Sequence, residues 1–195
     1  MSKETVPGWV TRFQSGFYTV QLEDKIITCS LRGRLKRRSF QGDIISVGDR
    51  VQVSLQVDGT GAIEFIEPRH SELVRLDPTP KGMFRQILLS NPDQVVAVFA
   101  CTQPEPHLRM LDRFLVIAEK QGLEASIVAN KVDLVGMRAA KKIFAVYPDL
   151  GYPVIYTSAA TGVGLKQFQE TLKGRISALT GPSGVGKSSL LNALQ

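Results

Sequence analysis

Tryptophan occurs once in the 195 residues, and cysteine and histidine only twice each. Cys29 and Cys101 lie far apart, and neither has a histidine or second cysteine at metal-ligand spacing. That argues against a zinc cluster or a disulfide framework and for two buried, reduced thiols. His70 and His107 are isolated and receive no chemical role. Long apolar runs are lacking too: a stretch such as Val95 to Cys101 is far too short to span a bilayer. Met1-Ser2-Lys3-Glu4 opens no signal-peptide core. A cytoplasmic protein without membrane contact is the expectation. Low complexity is missing as well, since 43% hydrophobic and 22% charged residues is an ordinary folded composition.

What the chain does have is an excess of cations. The net charge of +6 favours a polyanionic partner only weakly. Its distribution says more. Arg32, Arg34, Lys36, Arg37 and Arg38 fall within seven residues that contain no anion. A solvated loop is one reading. Contact with an RNA phosphate backbone is the stronger one, because clustered cations release counterions from nucleic acid.

The first third alternates like antiparallel β-structure. Short β-branched and aromatic runs, Trp9–Phe13, Phe17–Leu22, Lys25–Leu31, Arg50–Val57 and Gly61–Ile66, are separated by turn residues such as Ser15-Gly16 and Asp58-Gly59. Five strands without a helical period predict a small closed barrel over residues 1–68. An OB-type barrel fits the count and the basic loop between strands, with an SH3-like barrel as the alternative. Residues 69–92, with Pro78, Pro80 and Pro92, read as a basic linker. Over 93–195 the pattern changes to alternating strand and helix: strands at Gln94–Cys101, Leu123–Ala129, Pro153–Thr157 and Arg175–Thr180, and helices at Leu108–Gln121, Leu134–Val146, Leu165–Leu172 and from Lys187 onward. That alternation predicts a parallel sheet of α/β class.

The strongest motif is Gly181-Pro182-Ser183-Gly184-Val185-Gly186-Lys187-Ser188, followed by Ser189. It matches the phosphate-loop pattern at every defined position and lies between a strand and a helix. Glycines let the backbone curl until successive N–H groups point at a phosphate, and the helix N-terminus adds its positive end. Lys187 is expected to bridge β- and γ-phosphate oxygens as the catalytic cation, and Ser188 to place its hydroxyl on Mg²⁺. Upstream, Asn130-Lys131-Val132-Asp133 follows a strand. By itself this is no more than a polar turn. Beside a phosphate loop, Asp133 can accept hydrogen bonds from guanine N1–H and its 2-amino group, a pair of donors that adenine lacks. Asn130 can hold the loop, and the Lys131 stem can lie along the purine. After the next strand, Ser158 and Ala159 can offer backbone N–H groups to guanine O6. All three loops follow strands, so they are expected at one carboxyl edge. GTP or GDP is the expected ligand. An ATP-using enzyme, or an RNA-binding module with a vestigial nucleotide site, remains the alternative.

In a conventional GTPase the phosphate loop comes first; here Asp133 precedes Gly181, which requires a circularly permuted connection. With Cys29-Ser30-Leu31-Arg32-Gly33, Val47-Gly48-Asp49-Arg50-Val51, Pro68-Arg69, Asn91-Pro92-Asp93-Gln94 and Leu111-Asp112-Arg113-Phe114-Leu115, the whole chain resembles the RsgA family of circularly permuted GTPases. The resemblance implies a monomeric factor acting late in small-subunit (30S) ribosome maturation. Its barrel would contact 16S ribosomal RNA, and its GTPase would be stimulated by the subunit. It also implies switch segments, an Asp-x-x-Gly magnesium motif and a zinc domain following the point where Gln195 stands. The 195 residues therefore read as a fragment, expected to bind nucleotide but to hydrolyse it poorly.

Overall fold

The computed structural model describes residues 4–36, 45–76 and 85–195. They form two compact units, Met1–Asn91 and Pro92–Gln195.

In the first unit, β1 (Val6–Gln14), β2 (Phe17–Gln21), β3 (Ile26–Leu31), β4 (Arg50–Leu55) and β5 (Gly61–Ile66) close a barrel in the order β1-β2-β3-β5-β4. The β3–β5 contact is parallel, and β1 pairs antiparallel with β4 to complete the circle. This Greek-key closure is of OB type and decides against the SH3-like alternative. Inward residues Val10, Val20, Ile27, Cys29, Val51, Val53 and Ile63 fill the interior. Each comes from the alternate positions that the pleat turns inward.

Two sequence expectations are corrected in this unit. The basic segment does not begin as open loop: Gly33–Lys36 form a helical turn, α1. Arg37 and Arg38 lie outside the described residues. Residues 69–92 are not a featureless linker. β6 (Glu72–Leu76) and β7 (Arg85–Ser90) pair as an antiparallel ribbon. A register shift between Leu73 and Val74 breaks the two-residue period, which hid the strands behind the prolines.

A buried polar knot ties the ribbon's base to the barrel. Asp49, fully buried, accepts from Arg69 Nε at 2.6 Å, from Arg69 Nη2 at 2.7 Å and from the Ser46 N–H at 2.7 Å. Asn91 Nδ2 donates to the Gly48 carbonyl at 3.0 Å, and Asn91 Oδ1 accepts the His70 N–H at 2.9 Å. Removing Asp49 would take the acceptor from Arg69 Nε, Arg69 Nη2 and the Ser46 N–H at once, while Glu72, 3.2 Å from Arg69 Nη1, still faces the guanidinium. Asp49→Ala should therefore lower the stability of this unit by about 3 kcal/mol. Urea unfolding followed by Trp9 fluorescence would measure it; an unshifted midpoint would show that the knot is dispensable.

In the second unit, β8 (Gln94–Ala100), β9 (Glu124–Asn130), β10 (Val154–Tyr156) and β11 (Ser177–Thr180) form a wholly parallel sheet in the order β10-β9-β8-β11. All seven residues of β8 are buried, as a strand covered on both faces requires. One face packs under α2 (Leu108–Lys120), α3 (Met137–Ile143) and α4 (Val146–Asp149), through Leu111, Leu115, Ala140, Phe144 and Tyr147. The other packs against α5 (Leu165–Leu172) and α6 (Lys187–Asn192), through Phe168, Val185 and Leu190. The single helix expected over Leu134–Val146 is instead a 3-10 turn (Val132–Leu134) followed by α3 and α4. Gly136, at φ 81°, ends the turn. Pro148 lies inside α4, where a first-turn residue needs no N–H donor. No helix among the described residues is long and apolar enough to cross a membrane.

Candidate functional site

The loops that follow β8, β9, β10 and β11 all leave the carboxyl edge of the sheet. Because β11 pairs with β8, Thr180 opposite Ala97, the last strand in sequence lies directly beside the first strand of the sheet. The turn after it is tight. Gly181 has φ 136°, and a Cβ there would stand 2.0 Å from the Val98 carbonyl oxygen. Gly186 has φ 94°, and a Cβ would stand 2.5 Å from Asn130 Nδ2. These two glycines set how closely the loop lies on the neighbouring strands. Among the described residues, nothing accepts the N–H groups of Gly184, Gly186, Lys187 or Ser188. They remain a concavity of donors at the start of α6.

The Asn130–Asp133 segment reaches the glycine-rich loop directly. Asn130 is buried; its Nδ2 donates to the Val185 carbonyl at 2.9 Å, and its Oδ1 accepts from Thr157 Oγ1 at 3.1 Å. One amide thus links the ends of β9, β10 and β11. Lys131 takes a left-handed conformation, φ 63°. Its Nζ donates to the Gly184 carbonyl at 2.8 Å and to the Gln103 carbonyl. The lysine stem is held across the rim between two loops. Lys187 Nζ donates to the carbonyls of Gly181 at 2.8 Å and Pro182 at 2.7 Å, so its charge rests inside its own loop.

Asp133 lies in the 3-10 turn with its side chain exposed. Its carboxylate is close enough to influence Cys101 at the end of β8. Burial first, and this charge second, push the Cys101 thiol up to about 11. Burial alone pushes Cys29 up to about 11. Both thiols are protonated and inert at neutral pH. Ser158 is buried; its Oγ accepts the Thr161 N–H at 3.1 Å and its N–H donates to Val163, which curls the loop after β10. No described residue accepts the Ala159 N–H. Ser188 and Ser189 are exposed on the first turn of α6.

Two parts of the rim escaped the sequence reading. The Gln103 carbonyl is a backbone group, and no residue type announces it. Thr157 precedes Ser158, but only the fold turns its hydroxyl toward Asn130. At the barrel, Arg32 Nε is paired with Glu64 at 2.8 Å, and Glu64 also accepts from Ser54. Arg34 and Lys36 fall within α1. No group of three or more His, Cys, Asp or Glu able to hold a metal occurs among the described residues.

An OB-type barrel followed by a parallel sheet whose phosphate-loop strand comes last in sequence yet pairs with the sheet's first strand defines a circularly permuted P-loop GTPase fold. RsgA GTPase is the family description that matches residues 66–195, and RsgA N-terminal domain matches 7–63. The chain belongs to the RsgA GTPase family. It is 47% identical over 191 residues to the small ribosomal subunit biogenesis GTPase RsgA of Gemmatimonas aurantiaca, covering 96% of this chain and 62% of that protein. It is 39% identical over 182 residues to that of Alkaliphilus metalliredigens, covering 92% and 58%. The crystal structure of YjeQ from Thermotoga maritima superposes with a TM-score of 0.82 at 38% identity, covering 98% of this chain and 66% of that one. YloQ, described as a circularly permuted GTPase, superposes with a TM-score of 0.75 at 30% identity, covering 97% and 64%. The chain thus spans about 60% of the length of the curated relatives it matches, 62% and 58% for these two.

Proposed function

We propose that the intact protein is a cytoplasmic, monomeric GTPase that binds 16S ribosomal RNA and acts in late maturation of the small ribosomal subunit. The observation that carries this reading is the reach of Asn130 and Lys131 onto the carbonyls of Val185 and Gly184. A base-reading segment and a phosphate-reading loop are thereby fastened into one site.

Each residue then has a part. The unclaimed N–H groups of Gly184, Gly186, Lys187 and Ser188, within the Gly181–Ser189 turn that includes Pro182, Ser183 and Val185, take the α- and β-phosphates. Lys187 leaves its two loop carbonyls for the β- and γ-phosphate oxygens, exchanging neutral acceptors for charged ones. The Lys131 stem forms a platform under the purine. Asp133 accepts from N1–H and the 2-amino group, and the free Ala159 N–H donates to O6 beside Ser158. Mg²⁺ suits the donor set, since Ser188 brings a hard hydroxyl oxygen next to a phosphate site; when bound, the ion would neutralise charge building on the transferred phosphoryl group. Zinc belongs to the family's further domain, and nothing in this site calls for it. Arg32, Arg34, Lys36, Arg37 and Arg38 form the RNA contact of the barrel.

Competition against labelled GDP tests the reading. GTP should displace it at least about a hundredfold better than ATP, and small subunits should raise GTP turnover by the intact protein. Equal displacement by ATP would point to a general nucleotide enzyme instead.

A further inference from the structure

The helical layer over β8, β9 and β10 sorts its charges. In α2, Leu111, Leu115 and Ala118 are buried. By the helical period, Arg109, Arg113 and Lys120 fall on the opposite, solvent-facing line. In α3, Ala140 is buried, and Arg138 and Lys142, four residues apart, take the same outward line. All five side chains are exposed. The acids of α2 are turned elsewhere. Asp112 accepts the Tyr147 hydroxyl at 2.9 Å, and Glu119 accepts the Tyr152 hydroxyl at 2.5 Å. Both are therefore held on the flank of α2 beside α4 and the loop after it. Among the described residues the five cations make no ion pair or side-chain hydrogen bond. Exposed Arg175, by contrast, is paired with Glu124 at 2.6 Å.

An ordinary solvated helix mixes charges at i, i+4, where opposite signs gain a few tenths of a kcal/mol. Here Arg109 and Arg113, and Arg138 and Lys142, repeat the same sign at that spacing. Two helices packed on one face of the sheet thus each carry a one-sign row and forgo local pairing, as a surface made for an external polyanion would. The α2 row spans about 16 Å at 1.5 Å per residue, long enough to follow several phosphates. Three of the five cations are arginines, whose forked donors match phosphate oxygens.

We propose that the outward faces of α2 and α3 form a second RNA-contacting surface, on the nucleotide-binding unit itself, that grips the phosphate backbone of double-helical RNA. This rests on the reading of the protein as an RNA-bound factor. Exposed Val116, on the same line between Arg113 and Lys120, and exposed Ile117 beside it would instead serve a protein partner.

The test uses the full chain with a labelled RNA duplex of about 20 base pairs, titrated across salt concentrations, with GDP affinity measured in parallel. Wild type should bind with a steep salt dependence; if it does not bind at all, the RNA-bound reading itself fails. A variant carrying R109Q, R113Q, R138Q and K142Q should bind about tenfold or more weaker, with the log–log salt slope reduced by about 2 to 4. Its GDP affinity should be unchanged. V116S/I117S should bind RNA as wild type does. Normal RNA binding with an unchanged slope in the quadruple variant, beside a binding wild type, overturns the proposal. So does loss of RNA binding only in V116S/I117S. If the quadruple variant loses binding to polyglutamate but keeps the duplex, the face serves an acidic protein and the proposal is again overturned.

Discussion

Asp133→Asn is expected to weaken GDP binding by about a hundredfold and to raise affinity for xanthosine diphosphate above it. The carboxylate supplies two acceptors to a base edge that presents two donors. An amide in its place offers one acceptor and faces the 2-amino group with a donor, leaving polar groups unpaired where water is excluded. About 3 kcal/mol for that mismatch corresponds to roughly two decades of affinity. Xanthine carries a carbonyl at the position of the 2-amino group, so the new amide regains a partner. Asp133 lies exposed in a short 3-10 turn and supports no packing, so thermal stability should be nearly unchanged. Isothermal titration with the two diphosphates measures both affinities. Unchanged preference for GDP would mean that Asp133 does not read the base.

The second large effect concerns the backbone. Gly181→Ala should destabilise the second unit by about 3 kcal/mol or more and abolish nucleotide binding. The φ of 136° is one that a residue with a Cβ rarely adopts, and the added carbon would lie 2.0 Å from the Val98 carbonyl oxygen. Strain of about 1–3 kcal/mol is joined by a contact that only separation of β11 from β8 relieves. That separation would carry the phosphate loop away from Asn130 and Lys131. Gly33→Ala is the matched control, because a Cβ at Gly33 meets nothing within 4 Å. Far-UV circular dichroism on urea titration reads the loss, since Trp9 reports only on the barrel. A Gly181→Ala protein with wild-type stability and GDP affinity would show that this close approach is not needed.

Five β-runs with turn residues between them foretold a barrel, but not which barrel. Only the parallel β3–β5 pairing separated OB from SH3 topology, and register between strands distant in sequence leaves no local trace. The ribbon β6–β7 was lost for a related reason, its alternation interrupted by a bulge and its flanks crowded with prolines. The helix expected over Leu134–Val146 overlooked what Gly136 does to a continuous period.

Taken alone, the sequence determined the chemistry on offer. A glycine-rich turn before Lys187 and Ser188, an Asn-Lys-Val-Asp segment and a small-residue loop after a strand each offer particular donors and acceptors through residue type and short spacing, which are local properties. Tertiary structure decided what those parts do to one another. Placing β11 against β8 brings the Asn130 amide and the Lys131 ammonium onto the carbonyls of Val185 and Gly184, while β10 against β9 joins the Thr157 hydroxyl to Asn130 and β9 against β8 puts the Gln103 carbonyl within reach of Lys131. Hydrogen bonds reach only about 3 Å, so whether residues 55 positions apart can share one depends on the sheet order and on nothing written near either of them.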